Sequence, residues 1–238
     1  MKRILLAALL ALAPVACTFA ADNPAIVPAA RNTDKEKWWP ARHDAKLKDP
    51  KRTEAKVIFF GDSITQGWEG GGKAVWAQSI EPLGAFNLGF SGDRTEHALW
   101  RIDNGEFDGT HPKVIVILLG TNNIGHKSSN PEQTAEGMKA IIARLAQKTP
   151  EAKILLLGVL PRGAKPDEPL RQQAAEITKL YAGLADGKKV VFLDFNNKFL
   201  EADGTMSKDI MPDFLHPNAK GYQIWVDNML PKLKEMLN

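Results

Sequence analysis

The sequence predicts an α/β fold: a three-layer α/β/α sandwich built on a five-stranded parallel sheet. Three observations predict it. Five short, almost wholly apolar runs recur along the chain, each closing at a glycine or an aspartate. Stretches of helical period lie between them. The runs lack the apolar/polar alternation of a half-exposed strand, so they read as strands buried on both faces, as in a parallel sheet covered by helices.

The strands follow in order. Residues 56–60, Lys-Val-Ile-Phe-Phe, end in Gly61, and residues 84–88 are a weaker run. Residues 113–119 end at Gly120, residues 153–157 at Gly158 and residues 189–193 at Asp194. Helical period marks residues 95–104, 131–147, 170–185 and 217–237. The second of these opens with Asn130 and Pro131, a capping residue followed by proline at the first helical position. Right-handed crossovers leave few topologies, and five strands suggest a flavodoxin-like order. No internal repeat and no linker divides residues 55–238, which read as one domain.

Residues 1–20 are a separate object. Lys2-Arg3 precede an uncharged Leu/Ala-rich run over residues 4–16, and Thr18-Phe19-Ala20 supplies small residues for a signal peptidase. This is the anatomy of a secretory signal peptide, and the run is shorter than the roughly 20 residues of a spanning helix. Export to the periplasm or the exterior follows, with no stable membrane insertion. Cys17 after Val15-Ala16 also fits a lipid-attachment cysteine, although Pro14 stands where a branched apolar residue is usual. Residues 21–54 read as a Pro/Ala-rich leader and a short helix over 34–47 carrying Trp38, Trp39 and His43.

Composition excludes several classes. The 238 residues are 44% hydrophobic and 25% charged, which rules out a disordered tail or a multi-span membrane protein. A net charge of +3, falling to about +1 without Lys2 and Arg3, does not point to nucleic acid. Cys17 is the single cysteine, so no disulfide forms within the chain. The five histidines lack paired metal-ligand spacing, so no catalytic zinc is expected.

A sheet of this kind binds ligands beyond the carboxyl ends of its strands. There stand Gly61-Asp62-Ser63-Ile64-Thr65, Asn87-Leu88-Gly89-Phe90-Ser91-Gly92-Asp93 and Gly120-Thr121-Asn122-Asn123, with Asp213-Phe214-Leu215-His216 ahead of the last helix. This inventory suits acyl transfer. A serine needs a base to take its proton, a histidine titrates in the right range, and a carboxylate fixes the imidazole. Backbone N–H groups and an asparagine amide can receive an oxyanion. Two other motifs fail. Gly67 to Lys73 has P-loop spacing, but Ala74 replaces the hydroxyl residue; Gly89-Phe90-Ser91 begins a nucleophile elbow, but Asp93 replaces its last glycine.

The four blocks, in this order, resemble the SGNH/GDSL hydrolases. Leu99-Trp100-Arg101-Ile102-Asp103-Asn104-Gly105-Glu106 and Leu160-Pro161-Arg162-Gly163 look most like the catalytic subunits of intracellular type Ib platelet-activating factor acetylhydrolase and their bacterial relatives. The resemblance covers about residues 55–230; the signal and the Trp38-Trp39 helix are expected to have no counterpart there. It implies Ser63 as nucleophile, His216 as base and then acid, and Asp213 as its orienting carboxylate. Ser63 N–H, Gly92 N–H and the Asn122 amide would form the oxyanion hole, Gly92 doubling as a positive-φ turn. It also implies a serine esterase for short acyl esters, acetyl foremost, with no metal or organic cofactor, and it hints at a homodimer. The export segment makes that esterase a secreted one and favours carbohydrate as the alcohol, with short-chain lipid or phospholipid as the alternative. The rival of another class is a non-hydrolytic carbohydrate-binding or acyl-carrying protein.

Further contacts stay open at this level. Trp68, five residues after Ser63, is a pocket candidate, and residues 70–72 read as a mobile glycine loop. Asp62 either anchors the turn or meets substrate. His97 and Trp100 either line the acyl pocket or pack in the core. Arg94 and Arg162 either recognise substrate or pair with surface acids. Trp38 and Trp39 either stack on a sugar or dock their helix.

Overall fold

The computed structural model describes residues 23–31 and 33–238. The signal-peptide reading of residues 1–20, with Cys17, lies outside them. Five parallel strands form one sheet: β1 (Val57–Gly61), β2 (Ala85–Gly89), β3 (Val114–Leu118), β4 (Lys153–Leu157) and β5 (Val190–Leu193). Their order is β2-β1-β3-β4-β5, the flavodoxin-like arrangement. The helices are α1 (Trp38–Lys48), α2 (Lys51–Glu54), α3 (Ser63–Gln66), α4 (Lys73–Ser79), α5 (Thr95–Asp103), α6 (Thr121–Gly125), α7 (Pro131–Lys148), α8 (Pro169–Ala182) and α9 (Ala219–Leu237).

The apolar runs are buried on both sides because successive side chains enter different layers. Ile58 and Phe60 of β1, with Ile115 and Ile117 of β3, meet Leu99, Met138, Ile141 and Ile177 from α5, α7 and α8. Val57, Phe59, Val116 and Leu155 meet Val75 of α4 and Trp225, Val226 and Met229 of α9. Burying a side chain of this size contributes about 1.5–3 kcal/mol, so each layer is anchored by its strand-facing stripe. Asn130 caps α7 in a reciprocal box with Gln133, and Pro131 occupies the first turn, where its missing N–H costs no helical hydrogen bond.

The leader is part of the body. Residues 23–31 cross α5 and α7: Ala29 N–H donates to the Glu96 carbonyl at 3.1 Å, and Asn23 Nδ2 donates to Gln133 O at 3.2 Å. The helix expected over 34–47 is a 3-10 turn followed by α1, which lies beside β2. Trp39 is fully buried, whereas Trp38 is 39% exposed. The glycines at 70–72 join a 3-10 turn to α4, and a Cβ on Gly72 would come within 2.7 Å of Trp68 and Tyr222. Gly70 and Gly71 are exposed. Among the described residues, no helix is long and apolar enough to cross a membrane.

Candidate active site

β1 stops at Gly61, and the chain turns at once into α3. Asp62 caps that helix, its Oδ1 accepting the Ile64 N–H at 2.9 Å. Ser63 is therefore the first helical residue. The turn fits because Gly61 and Gly89 have no side chains: a Cβ on Gly61 would lie 2.2 Å from the Leu118 carbonyl, and one on Gly89 2.1 Å from the Gln66 nitrogen. Tyr222 of α9 braces α3 from the other side, its hydroxyl donating to the Ile64 carbonyl at 2.7 Å.

Ser63 Oγ lies 2.9 Å from His216 Nε2, and His216 Nδ1 lies 2.7 Å from Asp213 Oδ2. A carboxylate only accepts, so the imidazole proton belongs on Nδ1 and Nε2 is left to accept from the serine hydroxyl. Asp213 also receives the N–H groups of Leu215 and His216 on Oδ1, at 3.0 and 2.8 Å. Its partial burial acts to raise its pKa, but the hydrogen bonds from the His216 ring and from the two backbone amides outweigh that and hold it below the ordinary range. Between the two residues, Phe214 has φ of 58°, a left-handed conformation unusual for a bulky side chain. Gly163 N–H pins it by donating to the Phe214 carbonyl at 2.8 Å. Held strain of this kind concentrates at functional loops.

The second and third strand ends complete the rim. Gly92 has φ of +75° in the turn closed by Asp93 N–H on the Phe90 carbonyl at 3.1 Å. Asn122 stands in α6 and donates one amide hydrogen to the Asp93 carbonyl at 3.0 Å, so the two loops are tied together and its second hydrogen is left over. Asn123 locks α6 to α5 by exchanging hydrogen bonds with Thr95.

Trp68 is 1% exposed, wedged among Tyr222, Trp225 and Trp76 after Gly67 turns the chain inward, and it lines the groove along the free edge of β2. Asp62 is equally buried and spends a carboxylate oxygen on the cap; burial pushes its pKa up to about 7. His97 sits under Arg94, its Nδ1 accepting the Arg94 N–H at 3.1 Å, and burial with nearby arginines pushes its pKa down to about 2. His97 is buried, 4% exposed. Trp100 packs at a tilt against Trp39 and His43, at 5.2 and 5.1 Å between ring centres. Arg94 pairs with Glu96 and reaches His126, while Arg162 grips the Thr121 carbonyl at 2.9 Å, immediately beside Asn122. A groove of about 590 Å³ along the free edge of β2, between α1 and α4, contains none of Ser63, His216 or Asn122.

Sequence reasoning missed the charged core behind the rim. Arg101 is fully buried, donates to Asp93 Oδ2 at 2.8 Å, pairs with Glu106, and lies over Phe90 at 4.1 Å. Trp39 Nε1 donates to the other Asp93 oxygen at 2.6 Å. The available signal was Arg101 itself, a charge on a helix whose neighbours Ala98, Leu99 and Ile102 are all core residues.

Comparison with known proteins fits this geometry. The pattern of the GDSL-like Lipase/Acylhydrolase family matches residues 59–224. The chain belongs to that family. It is a carboxylic ester hydrolase. Platelet-activating factor acetylhydrolase IB subunit alpha2 of Homo sapiens is 40% identical over 203 residues, covering 84% of this chain and 86% of its own. That share exceeds what residues 55–238 alone provide, so the match runs back into α1. The expectation that the Trp38-Trp39 helix has no counterpart in those relatives is thereby corrected. In fold, the chain resembles a GDSL-like lipase from Bacteroides thetaiotaomicron (TM-score 0.63, 21% identity, covering 84% and 97% of the two chains). It likewise resembles an acetylxylan esterase from Geobacillus stearothermophilus (TM-score 0.62, 17% identity, covering 76% and 94%).

Proposed function

We propose that this esterase removes short acyl groups, acetyl foremost, through Ser63, His216 and Asp213. The observation that carries the reading is the unbroken hydrogen-bonded line from Ser63 Oγ through the His216 ring to Asp213. In the forward step, Ser63 Oγ attacks the ester carbonyl while its proton passes to His216 Nε2. Ser63 N–H, Gly92 N–H and the spare Asn122 amide hydrogen receive the tetrahedral oxyanion. His216 then protonates the departing alcohol and an acyl-enzyme remains; a water deprotonated by His216 attacks it, the bond from the acyl carbon to Ser63 Oγ breaks, and His216 returns the proton to Ser63 as the acid leaves. The bond from the acyl carbon to the alcohol oxygen breaks, and one water is consumed.

Acetyl is favoured because the curated relative and the Geobacillus neighbour, though described by different alcohols, both act on acetyl groups by name. An exported protein cleaved after Ala20 would meet acetylated carbohydrate, which is the alcohol class we assign. The name of the 40% identical relative favours a second reading, a short-chain phospholipid ester. One experiment decides both. Hydrolysis of p-nitrophenyl esters with acyl chains of two to twelve carbons should peak at acetate and vanish in Ser63→Ala. Acetylated xylan set against an acetylated phospholipid then assigns the alcohol. No p-nitrophenol release by wild type overturns the proposal, and faster turnover of the phospholipid overturns its carbohydrate arm.

A further inference from the structure

We propose that Arg31, from the leader ahead of α1, is a positioning residue for the oxyanion hole. The inference rests on the reading that Gly92 N–H is one of its donors. Arg31 Nη1 donates to the Ser91 carbonyl at 2.6 Å. That oxygen belongs to the same peptide unit as the Gly92 N–H. A trans peptide is planar, with its C=O and N–H pointing in opposite directions, so gripping the oxygen aims the hydrogen.

The grip matters because this peptide has an alternative orientation. Phe90, Ser91, Gly92 and Asp93 form a β-turn closed at 3.1 Å, with φ of +75° at Gly92 and no positive φ at Ser91. This is a type II turn. Type I differs by a half-rotation of the central peptide, here Ser91–Gly92, and glycine tolerates both. A flip would replace the N–H donor with a carbonyl oxygen, which repels an oxyanion. A charge-assisted bond on the carbonyl holds the donor orientation and also polarises the peptide, strengthening its N–H.

Arg31 is itself held. Glu36 takes its Nε at 2.8 Å and its Nη2 at 2.6 Å, Thr33 Oγ1 donates to the second Glu36 oxygen at 2.8 Å, and the Trp38 ring lies 5.6 Å from the guanidinium carbon. Asp93 Oδ1 lies 3.7 Å from Nη1. The Arg31 side chain is 15% exposed. On the far side of the turn, Gln66 Oε1 accepts the Ser91 N–H at 2.7 Å. Space is closed too: a Cβ on Gly92 would lie 2.8 Å from Arg31 Nη1.

The test uses the full enzyme with p-nitrophenyl acetate and a boronic acid that mimics the tetrahedral intermediate. Arg31→Ala should lower kcat about tenfold with KM within about twofold, a fraction of the loss on deleting a whole donor. Boronate affinity should fall by the same factor as kcat/KM, and added guanidinium ion should restore part of the rate. Arg31→Lys, which keeps the charge, should fall between the two, and it serves if the alanine variant unfolds. A wild-type kcat, or a loss of kcat with unchanged boronate affinity, overturns the proposal. Asn122→Ala separates it from the underlying reading. Failure of that variant to lose activity and boronate affinity breaks the oxyanion-hole reading, whereas its loss beside an unaffected Arg31→Ala breaks only the role of Arg31.

Discussion

Asp93 and Asp213 both stand on loops at the carboxyl edge of the sheet, and both face a basic side chain. Their surroundings could hardly differ more. Asp93 is fully buried, shared between Trp39 Nε1 and Arg101, with Glu106 beyond the arginine. Asp213 and His216 keep 56% and 42% of their side-chain surface open. A fully buried ion cluster cannot exchange protons readily with water, and breaking it leaves an uncompensated charge in low dielectric. It serves to fix the backbone that carries Gly92. An open carboxylate–imidazole pair costs little to form, and its ring can pass a proton between serine and water. One pair of charges builds the loop that the other pair works beside.

The largest expected effect breaks the buried side of this comparison. Arg101→Met keeps the stem's volume but strands Asp93 and Glu106, and it should cost about 3–5 kcal/mol in urea unfolding. A loss under about 1 kcal/mol would mean the cluster is not the scaffold described. A smaller effect is expected at the open side. Asp213→Ala should lower kcat about 10- to 100-fold and leave the melting temperature nearly unchanged, since a half-exposed pair is weak in stability terms. Undiminished turnover would reduce the triad to a Ser-His pair.

The smallest effect sharpens the role of burial alone. Asp62, raised by burial to about 7 from an ordinary 3.8, keeps its proton in the folded chain after the unfolded chain has lost it. Its contribution to stability therefore falls as pH rises from about 4 to about 7. Asp62→Asn retains a good capping side chain and removes that slope. The unfolding free energy of the variant, minus that of wild type, should climb between pH 4.5 and 7.5; a flat difference would contradict it.

The contrast also explains what could be read from the sequence. Strands β1 and β3 were legible because burial on both faces leaves an unbroken apolar signal. The meeting of Ser63 with His216 was legible because Ser63 stands at a strand end and His216 ahead of the last helix, on one rim of such a sheet; Gly92 was singled out from Gly89 only by the resemblance. Short elements were not legible: α3, α4 and α6 span too few residues to show a period. The burial of Trp68 was not legible because nothing local reveals that the chain dives inward at Gly67. Arg31 was invisible because its partner, the Ser91 carbonyl, is a backbone atom sixty positions away. Its own stretch is Pro/Ala-rich and shows no period.

The brace between α9 and the nucleophile turn has a consequence for the order in which the chain is made. Ser63 leaves the ribosome 153 residues ahead of His216, and Ile64 leaves it 158 residues ahead of the Tyr222 hydroxyl that supports its carbonyl. A growing or prematurely terminated chain thus carries its serine without a base or a fixed turn. By the mechanism proposed above, chemistry switches on only once residues 213–222 have been made and α9 has closed against α3.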